Sequence, residues 1–335
     1  MIAVVTTGGT IAGVTGADGA YAANTSGDVL VADVRTALPE VEFELHEALQ
    51  KLSFEITLDE WLDVIERVAT LARRPDVAGV VVVQGTALLE EVPFLVDLFV
   101  PGDTPIVFTG AMTPASQPGS DATVNLLDAL RVAADPGARG RGALVVMARR
   151  VLAARCVIKR HRGAFDALDG ADARREGAVD GAGVRWLTPP SARGPALGIV
   201  GLDTRVALLA VALGAEASWL ERALPSDATA LVVEGFPGGG GVSAALAEPL
   251  TALALRIPVV LSSRAPEGRL TGGAGGRSGG GALVRAGLIS AGGHTTARAR
   301  LVAMAALAQR PNDPHHAVRE ALERFDPSYT DRSLA

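Results

Sequence analysis

One cysteine, two tyrosines and two lysines stand in a chain of 335 residues. The lone Cys156 excludes an internal disulfide and suits a reducing cytoplasm. No uninterrupted apolar stretch approaches the roughly 20 residues needed to span a bilayer, so no membrane partner is expected. Basic charge is not in surplus: the net charge of −6 leaves nothing to neutralise phosphates and argues against a nucleic-acid partner. The chain runs straight into an apolar segment, Ile2-Ala3-Val4-Val5, with no basic region or cleavage site before it. No export signal is therefore expected, and a cytoplasmic location is. His46, His161, His294, His315 and His316 show no ligand spacing, so neither a metal nor a cofactor is expected.

Hydrophobic content of 48% against 20% charged residues marks a globular chain. Its length exceeds one small core and points to two α/β domains. Nearly all the positive charge is arginine, which makes Lys51 and Lys159 specific choices. Arginine stays protonated, whereas a buried lysine can give up its proton.

Short apolar runs alternate with helix-length amphipathic segments. Strands are expected at 2–6, 80–84, 105–109, 143–148 and 157–159. Thr57-Leu58-Asp59-Glu60 has capping-box spacing before Trp61, Leu62, Ile65 and Val68, which predicts a helix with one buried face. The alternation implies a mainly parallel sheet covered on both faces. A Pro/Gly-rich stretch around 187–196 reads as the domain boundary. It divides the chain into an N-terminal domain 1–187, a linker 188–196 and a C-terminal α/β domain 197–335. Strands are expected beyond it at 197–202, 229–234 and 257–262, with a helix following Thr295-Thr296. The glycine-rich segment 268–281 reads as a mobile loop.

Two motifs carry chemistry. Thr7-Gly8-Gly9-Thr10-Ile11-Ala12-Gly13 follows the first strand; it lacks the ending of a P-loop and the spacing of a dinucleotide fingerprint. What it offers is a hydroxyl at the C-terminal end of a strand, where open α/β sheets bind ligands. Such a hydroxyl is a weak nucleophile until something accepts its proton. The second motif, Gln84-Gly85-Thr86-Ala87-Leu88-Leu89-Glu90-Glu91, follows Val80-Val81-Val82-Val83.

Together they resemble the two signature blocks of the bacterial-type L-asparaginase/glutaminase amidohydrolases. The resemblance extends over essentially the whole chain, through Thr109-Gly110-Ala111-Met112, Ser120-Asp121, Val151 to Lys159 and Val259 to Arg264. It implies a two-domain asparaginase-like fold: a larger, mainly parallel N-terminal α/β domain and a smaller C-terminal Rossmann-like domain. It implies Thr10 as nucleophile, Tyr21 assisting proton transfer, and Thr86 with Lys159 as a hydroxyl–amine pair. Substrate contacts fall at Gly9, Ser53, Phe54, Gly85, Ala87 and Ala111. A homodimer or homotetramer is implied, as is a small-molecule amide substrate.

The departures from the family pattern are concentrated on recognition. The second block has Ala87 where the family has Asp, and Phe54 stands for the Gln after Ser53. Gly238 stands for an Asn, and a Glu contributed by a neighbouring subunit falls near Gly275. No Asp or Glu occurs from Gly268 to Asn312, whereas Arg269 and Arg277 do. Without counter-charge, burying an ammonium costs several kcal/mol. Three functions stay open: hydrolysis of an amide lacking a free α-amino group, true L-asparaginase activity with rearranged recognition, or a catalytically silent small-molecule binder. The loss of the Asp also predicts a lowered pKa for Lys159 once it is desolvated.

Overall fold

The computed structural model describes residues 1–15, 21–23, 26–190, 195–199, 201–270 and 276–327. Two compact units divide the chain, Met1–Ile199 and Val200–Ala335. The first runs through β1 (Ile2–Gly8), β2 (Gly13–Thr15), β3 (Tyr21–Ala23), α1 (Gly27–Ala37), β4 (Phe43–Lys51), α2 (Leu58–Ala72) and β5 (Gly79–Val83). It continues with α3 (Val92–Phe99), β6 (Ile106–Thr109), α4 (Ala122–Ala134), β7 (Ala143–Met147) and β8 (Arg150–Ala153). Four short strands close it: β9 (Val157–Lys159), β10 (Leu168–Gly170), β11 (Gly177–Asp180) and β12 (Gly183–Trp186).

Eight of these strands form one sheet in the order β12-β11-β8-β7-β6-β5-β1-β4. From β4 to β7 neighbouring strands are parallel; β8, β11 and β12 extend the sheet antiparallel. After β1 the chain adds β4 on one side, then crosses to add β5 on the other. The strand order therefore reverses between β1 and β5. The carboxyl ends of strands at such a reversal are the usual ligand position in open α/β sheets.

Continuous apolar runs produce these strands because both faces of the sheet are covered. Every residue of β1 is buried, and Val80 to Val83 are at most 1% exposed. Val4, Val81, Val83, Val107 and Leu144 share one core with Val31 and Val34 of α1 and Leu126 and Leu130 of α4. Each such side chain contributes about 1.5–3 kcal/mol by leaving water. No strand is expected at 43–51 from hydropathy, yet β4 forms there. It is the sheet's edge, so its residues are mostly half-buried and it can carry Glu44, His46, Glu47 and Lys51.

The second unit contains β13 (Val206–Ala210), α5 (Ala217–Ala223), β14 (Ala230–Gly235), α6 (Ala244–Ala254) and β15 (Val259–Ser263). It ends with α7 (Gly280–Arg285), β16 (Ile289–Ser290), α8 (Thr296–Gln309) and α9 (Pro314–Arg324). Its four strands are parallel in the order β13-β14-β15-β16, a Rossmann-like arrangement. The expected strand at 197–202 does not form among the described residues. Gly198 and Gly201 sit at φ +78° and +83°, outside the extended region, and the first strand begins at Val206 instead. The glycine-rich segment is not loop to its end, since Gly280 and Gly281 open α7. Among the described residues no helix is long and apolar enough to cross a membrane.

The helix start read at Thr57 is present in full. Thr57 Oγ1 accepts from Glu60 N at 3.3 Å, and Thr57 N donates to Glu60 Oε2 at 2.9 Å. Trp61, Val64, Ile65 and Val68 form the buried face, while Leu62 is only half-buried. Thr57→Ala should lower stability by about 1 kcal/mol. Urea unfolding checks this; an unmoved curve would mean that water replaces the cap without loss.

Candidate active site

β1 ends at Gly8 and Gly9 follows it, at φ +96° and +82°, a left-handed region open to glycine. Beyond them Thr10–Ala12 forms a single 3-10 turn. A Cβ added to Gly9 would lie 2.3 Å from Gly85 N and 2.4 Å from Gly85 Cα. One added to Gly85 would lie 2.6 Å from Ser53 Oγ. The segments after β1 and β5 therefore meet backbone to backbone, and the turn after β4 meets them through the Ser53 side chain. Thr10, Thr86 and Ser53 are carried to this meeting point, and are 9%, 7% and 3% exposed.

Thr86 opens a 3-10 turn at the end of β5. Lys159, the last residue of β9, reaches it: Nζ donates to Thr86 Oγ1 at 2.8 Å and lies 3.5 Å from Thr86 O. Burial holds the pKa of this ammonium below the ordinary lysine value, while the negative charge of Glu90 pulls it back up. A lysine so placed can lose its proton, and its lone pair then takes the threonine hydroxyl proton along the same contact. The direction agrees with the expectation for Lys159. Glu90 belongs to the second motif, where sequence alone assigned it no role; its place four residues after Thr86 was the available signal.

The other predicted residues divide. Phe54 follows Ser53 on a turn that packs against the Thr86–Leu88 turn and is 67% exposed. Ala87 is exposed and Leu88 half-buried, so the surface beside the Thr86–Lys159 pair is apolar. Ala111 is fully buried. Tyr21 lies in β3 opposite Thr15, and its side chain falls outside the described residues, as does Gly275. Arg269 is engaged with Asp326 at 3.0 Å, and Arg277 is exposed. Among the described residues no group of three or more His, Cys, Asp or Glu could hold a metal ion.

Asp121 and a residue the sequence analysis passed over, Asn125, brace the loop after β6. Both Asp121 oxygens accept from Met112 N at 3.0 Å, and Oδ1 also accepts from Thr113 N at 3.0 Å. Asn125 Nδ2 donates to Gly110 O at 3.0 Å and to Asp121 Oδ2 at 2.9 Å, while its Oδ1 accepts from Ala148 N at 3.0 Å. A polar residue on the apolar face of α4, 1% exposed, was the clue in the sequence.

Comparison with known proteins agrees with this architecture. The family model described as "Asparaginase, N-terminal" matches residues 1–192, and "Glutaminase/Asparaginase C-terminal domain" matches 205–322. The chain belongs to the asparaginase family, and is accordingly a hydrolase of amide C–N bonds. A probable L-asparaginase of Deinococcus radiodurans is 33% identical over 312 residues, 91% of this chain and 92% of that one. A glutaminase-asparaginase of Acinetobacter glutaminasificans is 35% identical over 162 residues; this match spans 47% of this chain and about half, 49%, of that protein. A probable cytoplasmic L-asparaginase from Campylobacter jejuni shares the fold, with TM-score 0.81 at 24% identity over 96% of this chain and 98% of that one.

Gly9→Ala should be costly, since the new methyl meets backbone that cannot swing aside. Overpacking together with a left-handed alanine should cost about 2–5 kcal/mol. A thermal midpoint within a degree of the parent's would show that the two segments can separate freely.

Proposed function

We propose that this protein hydrolyses a carboxamide whose substrate carries no free α-amino group, or carries it masked. The observation behind this is local: an intact Thr86–Lys159 pair beside a surface built from Phe54, Ala87 and Leu88. A carboxylate at 87 would pair with an ammonium; a methyl group leaves it unpaired, and a site of this kind rejects the charged group strongly. Ser53 Oγ, held against Gly85, remains to orient a carboxylate or carbonyl of the substrate.

In the proposed chemistry Thr10 Oγ1 attacks the amide carbon and its proton passes, with help from Tyr21, to the departing nitrogen. The C–N bond breaks, ammonia or an amine leaves, and an ester to Thr10 remains. Water that gives its proton to the Thr86–Lys159 pair then cleaves the ester, restoring the threonine hydroxyl. A cytoplasmic setting suits the single buried thiol of Cys156.

A second function, L-asparaginase proper, is favoured by one observation. The charge of Glu90 reaches Lys159, so a carboxylate is not wholly missing from the site. Ammonia or amine release from asparagine, glutamine, succinamic acid and N-acylated asparagine separates the two, with Thr86→Ala protein as control. Turnover confined to compounds without a free α-amine is expected. Turnover of asparagine at comparable kcat/KM would overturn the altered-pocket assignment.

The pH dependence has a definite sign. Neutral Lys159 is the working base, so its active fraction grows as pH rises through its lowered pKa. Since the pair acts on water after the amine has left, the rising limb of kcat should lie below the ordinary lysine value of about 10.4. Lys159→Met should remove that limb and cut turnover about 10²–10⁴-fold. An unchanged limb in that variant would take Lys159 out of the mechanism.

A further inference from the structure

We propose that His161 is a positioning residue: its ring closes the loop after β9 and so holds Lys159 against Thr86. This rests on Lys159 being the base assigned above.

β9 must place an amine to within a hydrogen bond, and Lys159 is its last residue. Among the described residues the strand pairs only with β10, through three residue pairs, with Lys159 opposite Leu168. Val157, Ile158 and Leu168 are buried and anchor the ribbon, whereas Lys159 at its end is only half-buried. The chain just beyond Lys159 is therefore decisive. Arg160 N donates to Ala167 O at 2.7 Å, and Ala167 N donates to Ala164 O at 3.1 Å. Inside this loop His161 Nδ1 accepts two backbone N–H groups, from Gly163 at 3.0 Å and from Ala164 at 2.8 Å. On the far side Arg150 Nη1 donates to Leu168 O at 3.1 Å and to Asp166 O at 3.2 Å. The return strand is held by Arg150 and the loop by His161; Lys159 sits where the two constraints meet.

The geometry dictates the chemistry of the ring. A nitrogen accepting two N–H donors carries no proton, so the ring proton is on Nε2. The side chain is exposed. Its use here is as a fixed acceptor two bonds from Cβ. Asparagine places Oδ1 at the same distance from the backbone as Nδ1, and favours such turns for that reason. Glutamine places its acceptor one bond farther out. The three side chains His, Asn and Gln thus separate an acceptor at the right place from polarity in general.

The presence of only two lysines in the chain makes the consequence readable without a substrate. Protein labelled with [13Cε]lysine should give two signals, assigned with Lys51→Arg, and each can be followed against pH. In the parent and in His161→Asn, Lys159 should titrate at the same lowered midpoint. In His161→Ala and His161→Gln the loop opens, water reaches the amine, and the midpoint should rise by about one unit. Exchange of the Gly163 and Ala164 amides should quicken about tenfold in the same two variants. Faster amide exchange in His161→Ala with the Lys159 midpoint unmoved would overturn the proposal, because the ring would then secure the loop alone. His161→Asn behaving like His161→Ala would also overturn it. An ordinary midpoint for Lys159 in the parent would sink the assignment of Lys159 as base, and this proposal with it.

Discussion

The backbone at Gly9 and the backbone at Gly85 meet with no room for a side chain between them, and Ser53 Oγ closes on the same spot from the turn after β4. The ends of β1, β5 and β4 are locked together by this absence of Cβ atoms. The threonines beside the two glycines inherit their separation from it. Backbone held by packing on three sides moves less than side chains on a loop, and pre-organisation of that kind is what reactive hydroxyls need. The sheet supplies the rest. Its strand order reverses between β1 and β5, so the reversal and the locked glycines coincide.

Lys159 enters this site from elsewhere. It arrives on a short antiparallel ribbon outside the main sheet, is half-buried, and donates to Thr86. Burial alone would leave it neutral more readily than an exposed lysine, and Glu90 tempers that effect. The balance of a desolvated amine against one nearby carboxylate sets how easily the pair exchanges a proton. The neighbouring surface, made of Phe54, Ala87 and Leu88, brings no charge of its own. The proposed substrate, an amide without an exposed ammonium, rests on this amine–hydroxyl contact lying beside an uncharged surface.

Much of this architecture is legible in the chain alone. β1 and β5 declared themselves through uninterrupted valine-rich runs, because strands buried on both faces have no polar alternation to conceal them. Thr57 and Glu60 announced α2 because capping is local chemistry. Thr86 and Lys159, 73 positions apart, came from family motifs rather than from any pattern in the chain itself. β4 was hidden because an edge strand tolerates Glu, His and Lys. The run at 197–202 misled because hydropathy does not register two glycines in left-handed conformations. The partners of Asn125 and His161 were not readable because each depends on which backbone groups the fold delivers to a side chain.

Binding heats would test the apolar-pocket assignment most directly. Succinamic acid and asparagine differ only by the α-ammonium group, and Thr10→Ala protein, which lacks the proposed nucleophile, should hold either without turning it over. Calorimetric titration of that protein should show succinamate binding at least about tenfold tighter, a difference of about 1.4 kcal/mol. Tighter binding of asparagine would mean that the ammonium finds its counter-charge after all, and the pocket assigned to Phe54 and Ala87 would be wrong.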